Sequence, residues 1–382
     1  MKHVINFRRI RQNKHRNMRR NYPALLRLLI GLAPVIFCVL VRTGQCNAQQ
    51  SAAEQPATEQ TSAGYVPVIS GAFAYIQNAT GGVQTLTPQI VPVLLVPMGH
   101  SLLLESRVEF TGFFERENQT TGPYVGKVFK TIDYAQLDWL ATSHVQAVAG
   151  RFVLPFGLYS ERLAPVWIRN LQDLPLTYQI GTHPDGAGDG FMLRGVAASL
   201  PSANIQYSAY MSAHDSTTQL AAVRVAGGDT SIYFPAGHVE AGLSYERSLE
   251  GYQINNEAAY LSWQPQRASV DLKAEYDRNH YGDGYWIEAA HSPQQFFVAP
   301  DFFRRMQLVG RMEQVFVRNG GGNGLPRVNE QRPELGLNYN IRDDWRLESN
   351  YGRLFSANGN TNVWNFGFTY RFVWPLWPGR KS

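Results

Sequence analysis

Cysteine and long apolar segments are both scarce in this sequence. The chain of 382 residues has two cysteines, Cys38 and Cys46, and both lie near its amino terminus. Only one apolar run, residues 24–41, approaches the roughly 20 residues that a membrane-spanning helix needs. The rest of the chain therefore predicts neither a bundle of spanning helices nor a scaffold held together by disulfides.

Catalytic and nucleotide-binding motifs are also missing. The glycine-rich residues 320–324 lack the context of a phosphate-binding loop and predict a flexible external loop. Residues 214–216 read His-Asp-Ser, but consecutive side chains point apart and cannot form a catalytic triad. His280 lies near Asp277 and Asp283, yet no second histidine has the same-face spacing that a metal site on one strand would need. We therefore predict a protein that is not an enzyme and has no metal site or cofactor.

The amino terminus predicts an export signal. Basic residues crowd residues 1–20, the apolar run follows, and Cys46-Asn47-Ala48 offers small residues for cleavage after Ala48. A start at Met18 fits the same pattern, and an uncleaved membrane anchor is the alternative. Of 35 basic and 30 acidic residues, about ten basic ones and both cysteines would leave with the signal. The remaining net charge of about −5 gives no reason to expect nucleic-acid binding.

Alternation of apolar and polar residues dominates the rest of the chain. Residues 49–64 are rich in Ala, Gln, Glu, Ser and Thr and predict a flexible periplasmic lead-in. Residues 65–372 form short alternating stretches separated by Gly, Pro, Asn and Asp. In residues 239–246, for example, odd positions are apolar and even positions are polar or glycine. The pattern predicts about 16 strands, within a range of roughly 14–18.

The last strand, residues 362–372, has the clearest alternation. One face is aromatic, and the other, with Asn365, Thr369 and Arg371, is mostly polar. Such a strand fits a soluble core, or a membrane barrel with its apolar face toward lipid. Many such strands behind an export signal favour an all-β fold, a transmembrane antiparallel up-and-down β-barrel. The aromatic face consists of Trp364, Phe366, Phe368, Tyr370 and Phe372.

Charged residues recur on the polar face of the predicted strands. They could not sit unpaired in a dry core, but they are stable in a water-filled lumen. The predicted lumen-lining residues are Arg107, Glu109, Arg194, Asp271, Lys273, Glu275, Arg311, Glu313, Arg346, Glu348 and Arg371. The same parity also holds Glu105, Arg151, Glu240, Glu246, Asp277, Glu288 and Glu334. The combined set leans acidic and predicts a weak preference for cations.

One segment, residues 154–190, is too long for a turn between strands. Its apolar residues argue against disorder, and loops of this length are usually functional. In a barrel we expect it to fold inward and narrow the channel; an external loop packed on a neighbouring subunit is the alternative. Three arginines, Arg151, Arg162 and Arg169, could form a basic wall opposite Asp173 and Asp185 and create a transverse field, or they could form ordinary salt bridges. The candidate constriction residues are Arg151, Arg162, Arg169, Asp173, Asp185 and Asp189.

Three short segments resemble a known family. Residues 133–139 (DYAQLDW), 148–152 (VAGRF) and 155–157 (PFG) are similar to the strand–turn–strand signature of Gram-negative outer-membrane porins. The segments are most similar to the phosphate-selective porin O and P group. The resemblance implies passive diffusion of small hydrophilic solutes or ions through a water-filled barrel, with a homotrimer as a possible assembly. It does not by itself imply phosphate selectivity, because anion pores place rings of Arg or Lys at the constriction.

The closing strand carries a second resemblance. Asn365, Gly367, Tyr370 and Phe372 are similar to the signal by which the barrel-assembly machinery recognises outer-membrane proteins. Residues 373–382 follow, and we predict that they form a short periplasmic tail, because their prolines cannot continue a paired strand. The expected partners are thus this machinery, outer-membrane lipid and lipopolysaccharide.

These observations predict an outer-membrane porin, narrowed by the long loop. An exported soluble β-protein that binds carbohydrate, or an outer-membrane barrel without an open pore, are the alternatives. A phospholipase-like barrel would need a Ser/His pair on the lipid face, and the outward parities of the clearest strands contain no histidine. The predicted organisation is a signal peptide (1–48), a lead-in (49–64), a barrel (65–372) and a tail (373–382).

Overall fold

A computed structural model describes most of the chain after residue 65. The described residues are 66–117, 122–178, 186–213, 224–250, 253–265, 269–293, 300–318 and 328–376. The predicted export signal, the lead-in, residues 214–216 and the glycine-rich residues 320–324 lie outside them.

Sixteen antiparallel strands form a closed barrel in which each strand pairs with its neighbours in sequence. β16 pairs with β1, so the ends of the chain's β-region meet and no sheet edge is left along the seam. The predicted fold class and strand number are confirmed. The strands are β1 Val68–Thr80, β2 Val83–Met98, β3 Leu102–Glu117, β4 Val125–Leu140, β5 Val145–Val153, β6 Ala187–Ser199, β7 Asn204–Ser212, β8 Val225–Phe234, β9 Val239–Ser248, β10 Asn255–Trp263, β11 Val270–Arg278, β12 Gly282–His291, β13 Met306–Val317, β14 Glu330–Asn340, β15 Trp345–Ser356 and β16 Gly359–Pro375.

Exposure alternates along the strands as the sequence predicts. In β9, Leu243 is 67% exposed whereas Glu246 is fully buried. In β16, Trp364 and Phe366 are exposed, and Asn365 between them is buried. Since side chains alternate across a strand, one surface of the barrel is apolar and the other carries the charges.

The closing strand is longer than predicted. β16 continues to Pro375, which lies opposite Val68 of β1. Beyond it, the amide of Leu376 donates to the carbonyl oxygen of Pro67 at 2.8 Å. A proline in the last position of a strand removes only one donor from the ladder, so the pairing tolerates it. The predicted tail therefore begins after residue 375 and not after Phe372.

The connections lie at two rims. We call the rim with the start of β1 and the end of β16 the terminal rim, and the other the opposite rim. Two short helices lie in connections: α1 (Tyr159–Arg162) between β5 and β6, and α2 (Pro300–Arg304) between β12 and β13. Neither helix is long and apolar enough to cross a membrane, and no other helix of the described residues is.

Candidate functional site

The connection between β5 and β6 starts at the opposite rim, and its described residues 154–178 fold into the barrel. Val166 packs on Ala74 and Ile76 of β1, and Leu171 packs on Ala290 of β12 and Val309 of β13. A segment that touches β1 and β13 at once must lie in the interior of a closed barrel. The predicted inward fold of this loop is thus observed for residues 154–178.

The loop is shorter than the predicted 154–190, because β6 already begins at Ala187. A Cβ atom on Gly188 would come within 2.9 Å of both Leu154 and Ser212, so this glycine allows close packing in a strand. Asp189 is consequently a strand residue, opposite Arg151 of β5.

Two groups of strands differ in how they contact this loop. We call β9–β16 the far wall, because the loop crosses the lumen to reach it, and β2–β6 the near wall, which adjoins the loop's ends. At the far wall, Leu158 and Tyr159 pack against Tyr260 and Trp286, and all four are buried. The rings of Tyr159 and Trp286 meet edge to face, with centroids 6.0 Å apart.

Glutamates of the far wall accept hydrogen bonds from the loop's backbone. Glu275 accepts from the amides of Leu158 (2.5 Å) and Tyr159 (3.1 Å), and Glu313 accepts from the amide of Leu176 (2.6 Å). Buried amides need such acceptors, and a charged acceptor makes a stronger bond than a neutral one.

Gly157 makes the approach to Glu275 possible. Its φ of +65° favours glycine, and a Cβ there would lie 2.7 Å from Oε1 of Glu275. This glycine belongs to the segment 155–157 on which the family resemblance partly rests. Its local role here is to let the loop turn against the far wall.

Asparagines of the far wall hold the middle of the loop. The side-chain amides of Asn350 (2.9 Å) and Asn365 both donate to Oδ2 of Asp173. Asn170 in turn donates to Glu288 of β12 at 2.8 Å, and Asn338 of β14 donates to the carbonyl oxygen of Asn170 at 2.8 Å. Asn170 and Asp173 therefore bond the loop to four strands of this wall, β12, β14, β15 and β16.

A buried ion network lies beneath these bonds. Arg311 pairs with Glu334 and lies 3.6–3.7 Å from Glu313 and Glu288, and Arg332 pairs with Glu313 at 2.6 Å. The side chains of Arg311, Glu313 and Glu334 are at most 1% exposed. Two guanidinium groups thus neutralise three carboxylates that are buried from water. Removing one of the arginines would leave buried carboxylates without a partner of opposite charge.

Three arginines of the far wall join wall carboxylates to loop carbonyls. Arg311 donates to the carbonyl oxygen of Asp173 (2.7 Å), Arg332 to that of Leu174 (2.6 Å) and Arg346 to that of Arg169 (2.8 Å). A guanidinium has five donors and can serve both groups at once. The same side chains therefore neutralise the wall and bind the loop.

The near wall carries ion pairs of another kind. Arg107 pairs with Asp133 at 2.7 Å, and Arg151 with Asp189 at 3.3 Å. Arg194 reaches Glu161 of α1 at 2.9 Å, with side chains that are 28% and 37% exposed. These pairs keep contact with water, in contrast to the network of the far wall.

The predicted constriction residues are distributed over the lumen. Arg151 and Asp189 pair within the near wall, and Arg162 pairs with Glu240 of β9 at 2.6 Å. Asp173 and the backbone of Arg169 bind the far wall, as described above, and Asp185 lies outside the described residues. The transverse field across the lumen stays a prediction.

The remaining predicted lumen residues lie on the inward parity as well. Glu109 accepts from Thr111, Lys273 pairs with Asp271, and Glu348 pairs with Arg346 at 2.5 Å. Arg371 is exposed at the terminal rim, opposite the buried Ala72.

Sequence analysis missed Arg332, Asn338 and Asn350 as residues that bind the loop. Arg332 stands two residues before Glu334 and has the same parity, but Pro333 between them hides the alternation. Asn338 and Asn350 also lie on inward parities, and neither has a charge that would single it out. The asparagines could have been identified by their inward position on a strand, together with a side-chain amide that can donate to a carboxylate.

Burial raises the pKa of Tyr159 to about 12, against the opposing charges of Arg169 and Arg311. The Tyr159 hydroxyl is buried and has no hydrogen-bond partner among the described residues. Within the same part of the chain, no group of three side chains is placed to hold a metal ion.

Solved structures of outer-membrane proteins share this fold. The trimer form of OmpT from Vibrio cholerae is 12% identical with a TM-score of 0.51, and the match covers 80% of this chain and 100% of that chain. OprB of Pseudomonas putida at low pH is 10% identical with a TM-score of 0.52, over 81% and 92%. A triple mutant of the porin of Rh. blastica is 9% identical with a TM-score of 0.50, over 80% and 100%. No protein-family model and no curated protein matches the chain. At these identities the likeness establishes the fold.

Proposed function

We propose that the protein is an outer-membrane porin that lets small hydrophilic solutes or ions diffuse through its lumen. The observation that carries the proposal is the loop of residues 154–178, which is bonded to the far wall. A loop held there occupies one side of the lumen and narrows the aqueous path, which then runs along the near wall. The partly exposed ion pairs of Arg107, Arg151 and Arg194 line that side.

The apolar outer surface supports insertion in a membrane. Phe191, Leu243 and Leu335 are 67–71% exposed, each on the outward parity of its strand. Soluble monomers rarely expose contiguous apolar surface of this kind, whereas lipid requires it. This observation favours the porin over an exported soluble protein that binds carbohydrate.

A weak cation preference follows from the charges beside the proposed path. Glu105 and Asp138 lie on the inward parity of the near wall, and Glu161 extends from α1 toward Arg194. Arg107, Arg151 and Arg194 are each bonded to a carboxylate, and this arrangement differs from the basic ring of an anion pore. We therefore do not extend the resemblance of residues 133–157 to phosphate selectivity.

The remaining parts of the proposal concern partners and chemistry. We propose a channel without enzymatic activity that is recognised by the barrel-assembly machinery through β16 and surrounded by outer-membrane lipid and lipopolysaccharide. A homotrimer is supported by the trimer form of the similar OmpT. The predicted export signal, with cleavage near Ala48, supplies the route to this membrane.

Reconstitution of the purified protein into planar bilayers tests the proposal. We expect discrete conductance steps and, in asymmetric KCl, a reversal potential that indicates modest cation preference. A barrel without an open pore would give no conductance. Strong anion selectivity would contradict the acidic path while leaving the pore itself in place.

The variant Glu161→Gln sharpens this measurement. A charge about 8 Å from a permeating ion in water-like surroundings contributes on the order of 0.5 kcal/mol, so cation preference should fall about twofold. Glu257→Gln is the matched control, because Glu257 lies on the outward parity of β10, next to the inward Asn256. An equal change in both variants would show that Glu161 does not line the path.

A further inference from the structure

A cavity of about 810 Å³ lies at the terminal rim, where α2 meets the turn between β14 and β15. Its lining includes Arg304, Arg305 and Arg342, with one carboxylate, Asp343. Three arginines outnumber the one acidic residue of the lining, so the lining carries an excess of positive charge. The cavity therefore suits an anionic group.

The arginines have few partners of opposite charge. Arg304 reaches Asp301 at 3.5 Å, but these side chains are 68% and 88% exposed, so water screens the pair. Arg305 donates to the carbonyl oxygen of Ile341 at 2.6 Å. Among the described residues, neither Arg305 nor Arg342 has a carboxylate oxygen within 4.0 Å. Guanidinium donors thus remain for a ligand.

The cavity adjoins the apolar outer surface of the barrel. Phe302 of α2 packs on Tyr339 of β14, with ring centroids 5.2 Å apart. Tyr339 is on the outward parity, because its neighbour Asn338 is buried in the lumen. Trp345 is also on the outward parity, and its ring centroid lies 4.8 Å from that of Tyr370. Aromatic residues in such a belt mark the level at which lipid headgroups begin.

The opposite rim has arginines too, but they are arranged differently. Arg318 pairs with Asp283 at 2.6 Å, and Arg278 lies directly across from Glu257 in the pairing of β10 and β11. The Asp283 carboxylate already neutralises the Arg318 guanidinium. The cavity at the terminal rim differs, because Arg305 and Arg342 have no such ion pair within the described part of the chain and lie near exposed apolar rings.

We propose that the cavity lined by Arg304, Arg305 and Arg342 binds the phosphate headgroup of an anionic phospholipid, whose acyl chains lie over Phe302 and Tyr339. Arginine donors match phosphate oxygens, and the rings cover the hydrocarbon next to them. The proposal requires a barrel in a membrane, as proposed above, but not an open pore. An anionic lipid in this place would fix α2 against the end of β14.

Native mass spectrometry of the whole protein in an uncharged detergent tests the proposal. The probes are phosphatidylglycerol, phosphatidylcholine of the same acyl chains, and inorganic phosphate. We expect retention of phosphatidylglycerol over phosphatidylcholine, and no displacement by inorganic phosphate at equal concentration. Equal retention of the two lipids would overturn the proposal, and displacement by inorganic phosphate would overturn the assignment to a lipid.

Two matched triple variants locate the site. Arg304→Gln, Arg305→Gln and Arg342→Gln together should weaken phosphatidylglycerol binding roughly a hundredfold, since each basic residue near an anionic headgroup contributes about fivefold. Lys127→Gln, Lys130→Gln and Arg247→Gln remove the same charge from exposed positions that share no cavity, and should leave binding unchanged. An equal loss in both variants would show that net charge alone attracts the lipid and would overturn the proposal.

Three further measurements distinguish the loss of this lipid site from misfolding of a variant and from the absence of an open pore. Heat-modifiable mobility on gels reports whether each variant is a folded barrel, and all six substituted side chains are exposed. Phe302→Ala keeps every charge and should weaken lipid binding severalfold through the lost ring contact; unchanged binding would contradict the placement of the acyl chains. Bilayer conductance should be the same in the wild type and the rim variant, whichever way lipid binding turns out.

Discussion

The far and near walls of the lumen carry the same kinds of residues but hold them in different states. On the far wall, Arg311 and Glu334 are at most 1% exposed in a network covered by the loop. On the near wall, Arg194 and Glu161 pair while roughly a third of each side chain stays in water. Parity is the same for both arginines, so the loop makes the difference by removing water from one wall.

The comparison teaches that an inward charge on a barrel strand can have two roles. Where the loop covers it, a charge is an anchor whose removal leaves its partners buried and unpaired. Where water reaches it, a charge shapes the potential along the proposed path and contributes little to stability. Removing matched residues from the two walls separates these roles.

The largest expected effect is that of Arg311→Gln. It leaves Glu288, Glu313 and Glu334 buried without their central cation, which should cost about 3–5 kcal/mol in free energy of unfolding. Glu161→Gln beside the near wall should cost less than about 1 kcal/mol, because Glu161 and Arg194 are both partly hydrated and Arg194 keeps Asp138 as a partner. Urea titrations of both variants folded in lipid vesicles give these values, and similar losses would break the comparison.

Alkaline pH should weaken the packing of the loop on the far wall, because Tyr159 of α1 loses its proton there. Its pKa of about 12 in the folded protein exceeds the ordinary 10.0, so folding favours the neutral phenol. The associated stability is complete below pH 10 and is lost as pH rises toward 12, by about 2 kcal/mol at pH 12. Unfolding titrations across this range measure the loss.

Tyr159→Phe is the control for this pH dependence. It keeps the ring packed against Trp286 and removes a buried hydroxyl that has no partner among the described residues, so stability at neutral pH should change little. In this variant, the part of the stability loss between pH 10 and 12 that Tyr159 causes should disappear. An identical decline in the variant would assign it to other groups.

A smaller effect is expected from Asp173→Ala, which removes the acceptor shared by Asn350 and Asn365. Two donors lose their partner, so backbone amides of residues 154–178 should exchange about tenfold faster with deuterium. Asp189→Ala removes a pairing carboxylate from the near wall and should leave these amides within about twofold. Hydrogen exchange followed by mass spectrometry compares the two variants, and equal acceleration would mean that the loop does not depend on the far wall.

Much of the fold could be predicted because its signal is local. Alternation along β9 and β16 depends on neighbouring residues only, so strand number and inward parity were readable from the chain. The end of β16 was placed too early, since a proline was assumed to stop pairing, whereas Pro375 occupies the last position, where a missing donor matters little. Asp189 was assigned to the loop because Gly188 and Gly190 resemble turn residues, although they allow close packing within β6.

The candidate site was predictable in residue type but not in arrangement. Arg162 and Asp173 were rightly placed in the inward loop, yet nothing local indicates that one binds Glu240 and the other binds Asn350 and Asn365. Arg332 was overlooked because Pro333 interrupts its strand pattern. The pairing partners of these residues depend on the position at which the loop packs against the far wall.

The sequence by itself determined which side chains face inward, because a strand's period of two is a property of the backbone. Only the tertiary structure decided which of those side chains are anchors and which stay hydrated. Closure of the barrel and the inward fold of one loop bring Arg311 to the carbonyl oxygen of Asp173, 138 positions away in the chain. Water is excluded where the loop packs and retained where it does not, and burial rather than residue type then sets the energy of each charge.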